Sequence, residues 1–543
     1  VGMTDEERSD TRWRRCAGPW TVPVLVAVLL AQMAFAMVTT AVRQTPTIDE
    51  PVYVGAAADY VREHRLRYNP EHPPLGKLVV GAGVALAGPR VDPSFEGGQS
   101  AWGRHLLYES GNDPWRLMLW ARLPVIALTL LFGLVVFAFA RELAGRAGGL
   151  AALALYAFSP DVVAHGSLAT LDAPAAGFVL TSVWLLWRAR DRPRLYLPLA
   201  GAALGAALAT RASTLPAVPV LLVLAALSTG SRVRGRRAVR AAAGALVVAV
   251  TAIAVVWATY LAVDPRLRGT PGQALPGVPG LKGVVVDLLP FPEAYRDGMR
   301  LQFGLEGHPW QGFLFGRLYT GSLWYYLPAA LLVKTPLGAL ALWAAGSVAV
   351  VAVRRLRPAA PYLLLPAVVL LASAMAGSRN FGTRYALILP MLLAVAAGSV
   401  LAARVRWAPA ATLALVAFVA VSSVRTYPYY LPYANEAFGG PARTRLLLHD
   451  SAVDWGQDLG RLADRLRERY PGERVWLVYK GSGVPSHYGI EAADPRSVPA
   501  REVRGLLVVS DSAAAKATGR LAALIDSSRP VDDVGHSITV YRR

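Results

Sequence analysis

Thr47-Ile-Asp-Glu-Pro-Val-Tyr53 follows directly on the first long apolar run, and Tyr68-Asn-Pro-Glu-His-Pro-Pro-Leu-Gly-Lys77 comes soon after it. The first stretch places two adjacent carboxylates, Asp49 and Glu50, where a membrane helix should leave the bilayer. The second adds Glu71, His72 and Lys77 on a proline-rich turn. Charged groups beside a hydrocarbon slab are costly unless they face a cavity or a partner, so they mark a functional site.

Composition agrees with that setting. Of 543 residues, 54% are hydrophobic and only 17% charged, which is too apolar for a soluble chain of this length. The net charge of +20 raises nucleic acid as a partner. The arginines argue against it, because many lie in short segments between apolar runs rather than in one stripe on a soluble face. A single cysteine, Cys16, excludes an intramolecular disulfide and a cysteine-based zinc site.

Apolar runs of about 17–25 residues can span a bilayer. About eleven are read, at roughly 20–42, 121–140, 147–164, 172–187, 195–211, 213–229, 240–263, 324–352, 361–377, 384–403 and 407–424. Arginines collect on alternate connections. They stand at Arg8, Arg12, Arg14 and Arg15, at Arg141 and Arg146, at Arg188–Arg194, at Arg232–Arg240, at Arg354–Arg357, and at Arg404 and Arg406. The positive-inside rule puts those connections in the cytoplasm. The N-terminus is then inside and the C-terminus outside. The first run is too long for a signal-peptide core and is kept as a helix.

Two outer segments are long, 43–120 and 264–323. Ala56-Ala-Ala-Asp-Tyr-Val and Leu78-Val-Val-Gly-Ala-Gly-Val-Ala-Leu in the first suggest short helices lying at the interface. The second is rich in Gly and Pro, as in Gly269-Thr-Pro-Gly-Gln, and should fold over the helix ends. From about 425 the composition turns soluble. Val475-Trp-Leu-Val-Tyr, Gly505-Leu-Leu-Val-Val and Ser537-Ile-Thr-Val-Tyr read as strands, and Leu459, Leu462, Ala463 and Leu466 as one face of a helix. The expected architecture is an all-α polytopic membrane domain over 1–424 with a small extracytoplasmic α/β domain over 425–543.

The motifs then carry a resemblance. The Asp49-Glu50 pair, the Asn69–Lys77 run and Ala164-His-Gly-Ser-Leu-Ala-Thr-Leu-Asp172 resemble the C-type (GT-C) glycosyltransferases. The nearer likeness is to the branch of the protein O-mannosyltransferases and the lipid A aminoarabinose transferase. Tyr325-Tyr-Leu-Pro, Lys334-Thr-Pro-Leu and Asn380-Phe-Gly-Thr-Arg-Tyr385 add to it. Tyr433-Ala-Asn-Glu-Ala-Phe-Gly-Gly-Pro and Asp450-Ser-Ala-Val-Asp-Trp-Gly-Gln-Asp458 are similar to a bacterial subgroup with an outer C-terminal domain. The resemblance implies a polyprenyl-phosphate-linked sugar as donor, an acceptor that is protein, lipid or glycan, and work on the outer face of the plasma membrane.

Moving a sugar from a lipid phosphate to a hydroxyl needs a base for the acceptor proton and cations for the leaving phosphate. Asp49 is the candidate base, with Glu50 beside it; the competing reading is that Asp49 caps a helix beginning near Pro51. Asp172 is the second acid, placed by resemblance in an outer loop facing the first, with helix capping again the alternative. Glu71, His72 or His165 could join these acids around a divalent metal, since carboxylate and imidazole suit zinc or manganese. No His-x-x-His spacing supports it, and the requirement for a metal stays open. For the donor phosphate the candidates are Lys77, whose role comes from the resemblance, Arg384, Lys334 and, ranked last, Arg211; arginines at helix ends also snorkel to headgroups. Asp450, Asp454, Trp455, Gln457 and Asp458 read as a helix start, with the carboxylates at the positive end of the dipole and Trp455 either docking the domain or stacking on sugar.

A transporter would carry its charges at mid-bilayer in paired halves, and an oligosaccharide polymerase or ligase would lean on arginine-rich outer loops. Neither pattern is present, and both remain the alternatives to a transferase of a hexose such as mannose, acting with inversion.

Overall fold

The computed structural model describes residues 20–229, 234–268 and 274–543. Arg8, Arg12, Arg14, Arg15, Cys16, Arg232 and the Gly269–Gln273 run lie outside them. The described chain is 66% helical.

Helix occupies all eleven of the apolar segments read from the sequence. Thr21–Arg43, Pro114–Ala157, Ala238–Val263, Arg357–Met375 and Ala408–Thr426 are long and apolar enough to cross a membrane by length and composition. Pro114, Pro160 and Pro193 each open a helix, because a first-turn N–H has no intrahelical partner to lose. The second and third expected runs are two helices that meet at a kink, Ala144 and Gly145, within Pro114–Ala157, and the third run continues into the short helix Pro160–Gly166. Gly145 takes φ 70°, a conformation open to glycine at little cost.

The eighth run departs from expectation. In place of one helix over 324–352 there are two, Tyr326–Lys334 and Leu337–Ala352, bent by 118°. The cause is Lys334-Thr-Pro: the ring of Pro336 disfavours helical backbone at the residue before it, and Thr335 is extended at φ −96°, ψ 131°.

The first outer segment folds as Glu50–Arg62, Pro74–Ala87 and Gln99–Tyr108. The second holds the helices Gly280–Leu288 and Glu293–Glu306 and a hairpin of β1 (Gln311–Leu314) and β2 (Arg317–Thr320).

Near the C-terminus β3 (Val475–Val478), β4 (Ala492–Ala493), β5 (Leu506–Ser510), β6 (Arg529–Val534) and β7 (Ile538–Arg542) form one sheet in the order β4-β3-β5-β7-β6. β3 runs parallel to β4 and β5, while β7 is antiparallel to β5 and β6. Side chains alternate between faces along a strand. Leu506 and Val508 pack with Leu459, Leu462 and Leu466 of the helix Leu459–Arg469. Leu507 and Val509 pack with Leu521 and Leu524 on the other face. The segment leading into this sheet is different. Tyr430, Leu431, Leu448, Ala452, Val453 and Trp455 are buried in the same core as the membrane-type helices.

Candidate active site

Asp49 precedes the helix Glu50–Arg62, yet its side chain makes no capping bond. Its Oδ2 instead accepts a hydrogen bond from Arg384 Nη1 at 2.7 Å. Asp172 opens the helix Asp172–Ala189 and likewise turns away from the helix end, into an ion pair with Arg211. Asp113 shows what a capping aspartate does in this chain: its Oδ1 accepts from the backbone N–H of Trp115 at 2.9 Å. The two acids of the motifs are therefore partners of arginines.

The two arginines meet at one ring. The guanidinium carbons of Arg384 and Arg211 lie 5.1 and 5.4 Å from the centroid of Tyr385. Arg384 Nε and Arg211 Nε are both buried and have no hydrogen-bond partner among the described residues. Arg296, Arg445 and Arg461 also keep a buried nitrogen without a partner among the described residues; what sets Arg384 and Arg211 apart is that both stand beside one ring, where their free donors could meet one anion.

Glu50 does something else. It is fully buried, and its Oε1 accepts from Arg122 Nε (2.7 Å) and the N–H of Ala169 (2.8 Å). Its Oε2 accepts from Arg122 Nη2 (2.6 Å), Thr47 N (2.8 Å) and Thr47 Oγ1 (3.0 Å). Burial alone would raise its pKa; the Arg122 charge and these donors outweigh that and hold it below the usual value. Arg122 also donates to the carbonyls of Ala41 (2.7 Å) and Gln44 (2.8 Å) at the end of the helix Thr21–Arg43. Glu50 and Arg122 thus fasten the Asp49 loop to the first helix end and to the 164–172 connection. Arg122, unlike Glu50, drew no attention in the sequence; its signal was an arginine at the head of an apolar run.

Lys77 is buried, with Nζ donating to the carbonyls of Asn69 (2.6 Å) and His72 (2.7 Å). Burial brings its pKa down to about 7, against the pull of Glu71. It closes the turn that carries Glu71 and His72. The His72 imidazole is pushed well below its ordinary value, first by burial and then by Arg211, Lys77, Arg379 and Arg384. Glu71 accepts from Gln99 Nε2 at 2.9 Å. Arg379, a second residue not read from the sequence, reaches the same region through Gln302 and pairs with Glu306 at 2.8 Å. Lys334 sits at the break in its helix, 3.7 Å from Asp161, and donates to the carbonyls of Leu431 and Ala452 (3.0 Å). It tethers the segment before the sheet. His165 is buried with its ring edge against Trp455, 6.1 Å between centroids.

The metal left open by the sequence finds no assembled ligand set. Among the described residues no group of three or more His, Cys, Asp or Glu is placed to hold an ion, because each candidate acid already faces an arginine or an amide. The C-terminal motif also differs from its reading as a helix start. The helix begins only at Leu459, and Asp454 instead accepts from Ser512 N (3.0 Å) and Gly456 N (3.1 Å).

Residues 117–257 match the family described as Dolichyl-phosphate-mannose-protein mannosyltransferase. No curated protein matches the chain. Among solved structures, ArnT from Cupriavidus metallidurans in the apo state is similar at 16% identity, covering 95% of this chain and 97% of that one with a TM-score of 0.48. The S. cerevisiae Pmt1-Pmt2 complex bound to the sugar donor is similar at 19% identity over 47% of this chain and 35% of that one, TM-score 0.35. The Archaeoglobus fulgidus oligosaccharyltransferase tethered with an acceptor peptide is similar at 13% identity over 92% and 70%, TM-score 0.47. At TM-scores below 0.5 these likenesses carry no functional argument. The family match over residues 117–257 bears out the resemblance of this chain to C-type membrane glycosyltransferases of the O-mannosyltransferase branch.

Proposed function

We propose that the protein transfers a hexose, such as mannose, from a polyprenyl-phosphate carrier to an extracytoplasmic acceptor, with inversion at the anomeric carbon. One observation carries this reading. Two buried arginines, Arg384 and Arg211, each neutralise one acid and each keep a buried Nε–H without a partner beside the shared ring of Tyr385.

In the proposed reaction the carrier phosphate takes up those donors. As the bond from the anomeric carbon to the phosphate oxygen breaks, negative charge gathers on the leaving phosphate, and fixed cations stabilise it most at that point. An acceptor hydroxyl forms the new bond from the opposite face, and its proton passes to Asp49. Arg384, held in place, shares its charge with the phosphate as the negative charge there grows, which loosens its hold on the Asp49 carboxylate and leaves that carboxylate able to take the proton. Asp172 holds Arg211 in place, while Glu50 with Arg122 and Lys77 with its two carbonyls fix the loops that present Asp49 and His72. The proposed setting is the outer face of a bacterial plasma membrane; the arginine pattern supports the sidedness.

The test is turnover by the purified protein in detergent with a panel of polyprenyl-phosphate sugars. Release of polyprenyl phosphate and a product of opposite anomeric configuration is expected, with none from nucleotide sugars. Turnover of nucleotide sugars alone would contradict the reading. Mass spectrometry of envelope glycans and secreted glycoproteins with and without the protein then identifies the acceptor.

A further inference from the structure

The segment Asp450-Ser-Ala-Val-Asp-Trp-Gly-Gln-Asp458 has two polar faces, and each is fully engaged. One face is bound to the residues just before Asp49. Ile48 N donates to the carbonyl of Trp455 at 3.0 Å and Thr45 N to that of Gln457 at 2.9 Å. Thr45 Oγ1 donates to the carbonyl of Gly456 at 3.1 Å, and Leu459 N donates to the same hydroxyl at 3.2 Å. Gly456 takes φ 90°, and a Cβ there would come within 2.8 Å of Gly481 Cα. The chain can turn this tightly only at glycine.

The other face is bound to the sheet. Ser512 donates its N–H to Asp454 Oδ2 (3.0 Å) and its hydroxyl to the Asp454 carbonyl (2.7 Å), and it accepts from Asp450 N (2.8 Å). Ser537 Oγ donates to Asp458 at 2.6 Å, and Lys480 pairs with Asp450. Lys480 and Ser512 stand just past the carboxyl ends of the parallel strands β3 and β5. In open α/β sheets that edge is where ligands bind. Here the protein's own segment takes the place.

Between the two faces lies Trp455, 1% exposed, with the Arg384 guanidinium carbon 4.4 Å from its ring centroid. The guanidinium donates from Nη1 to Asp49 Oδ2 and, at a longer 3.3 Å, from Nη2 to the Tyr385 hydroxyl, which leaves it some freedom to tilt out of its plane. An indole face beneath its plane removes the freedom, and tryptophan is the strongest aromatic partner for a cation. We infer that Trp455 is a positioning residue of the active site, fixing Arg384 for the leaving phosphate, and that the C-terminal sheet is the clamp that holds Trp455 there. This rests on the role proposed above for Arg384. A segment that merely docked one domain on another would have no reason to set its largest side chain on that guanidinium.

The test is a double-variant cycle on the full-length purified protein turning over a polyprenyl-phosphate sugar. Trp455→Leu should lower kcat about thirtyfold, the order of a desolvated cation–π contact, with the acceptor KM unchanged; Trp455→Phe should restore most of the rate. Trp455→Leu added to Arg384→Ala should cost no further loss, because the indole acts through that guanidinium. Where Trp455→Leu fails to fold, Trp455→Met, whose flexible side chain fills irregular gaps without a ring, completes the same cycle. Additive losses would overturn the proposal. Wild-type turnover in the Trp455 variant beside a slow Arg384→Ala would overturn it alone, whereas a wild-type rate in Arg384→Ala would overturn the phosphate assignment as well.

Discussion

At the scale of single residues, the adjacent acids divide their work. Asp49 faces a cation in a partly open position, 30% exposed, whereas Glu50 is sealed against Arg122. Breaking a buried pair by removing one charge is strongly destabilising, on the order of 3–5 kcal/mol. Glu50→Gln should therefore lower the thermal midpoint of the purified protein clearly, while Asp49→Asn, at a partly open position, lowers it less; equal shifts in a melting assay would contradict this division. Arg384→Ala and Arg211→Ala should each cut kcat/KM for the lipid-linked donor by about 10²–10³-fold, read by initial rates at limiting donor. Wild-type values would return both to headgroup contacts. Sequence reasoning could find Asp49, Asp172 and Arg384 because a charge at a helix end is conspicuous. It could not separate Asp49 from Glu50, since the difference is which way each side chain turns across a distance of 72 residues to Arg122. Nor could it see that Lys77 and Lys334 are occupied by carbonyls, a matter of tertiary contact alone.

At the scale of elements, helix positions were legible because an apolar run of membrane length has few other solutions. The break at Pro336 was written in Lys334-Thr-Pro but hidden by the apolar residues on both sides of it. The strands β3, β5 and β7 announced themselves by branched residues in short runs, whereas β6, Arg529–Val534, carries two aspartates and gave no such signal. The join between sheet and active site has a pH dependence of its own. Burial lifts the carboxyl of Asp454 to about 7, while Ser512 N–H and Lys480 pull it down. Its proton is bound more tightly folded than unfolded, where a carboxyl titrates near 4. This contribution to stability is fully present below about pH 4 and is lost as pH rises to about 7. Neighbouring Asp450, held low by Lys480 and His449 despite its burial, acts in the opposite sense. Compared with wild type, Asp454→Asn should therefore lose less stability between pH 5 and pH 8 in thermal unfolding; an unchanged slope would show that Asp454 is not the titrating group.

At the scale of the whole molecule, the proposed reaction requires Asp49, Asp172 and the C-terminal sheet on one side of the membrane. With Cys16 replaced, a membrane-impermeant thiol reagent on intact cells should label cysteines placed near residue 95 or residue 515, but not near residue 235. Labelling at 235 or protection at 515 would invert the orientation drawn from the arginines. The central claim is that Asp49 accepts the acceptor proton during transfer from a lipid phosphate. Its most direct test is transfer of labelled sugar from a polyprenyl-phosphate donor by wild type and Asp49→Asn, both purified and shown to be folded by the same melting assay. Measurable turnover is expected in the wild type and a loss of about 10²–10⁴-fold in the variant. Equal rates in the two proteins would contradict it.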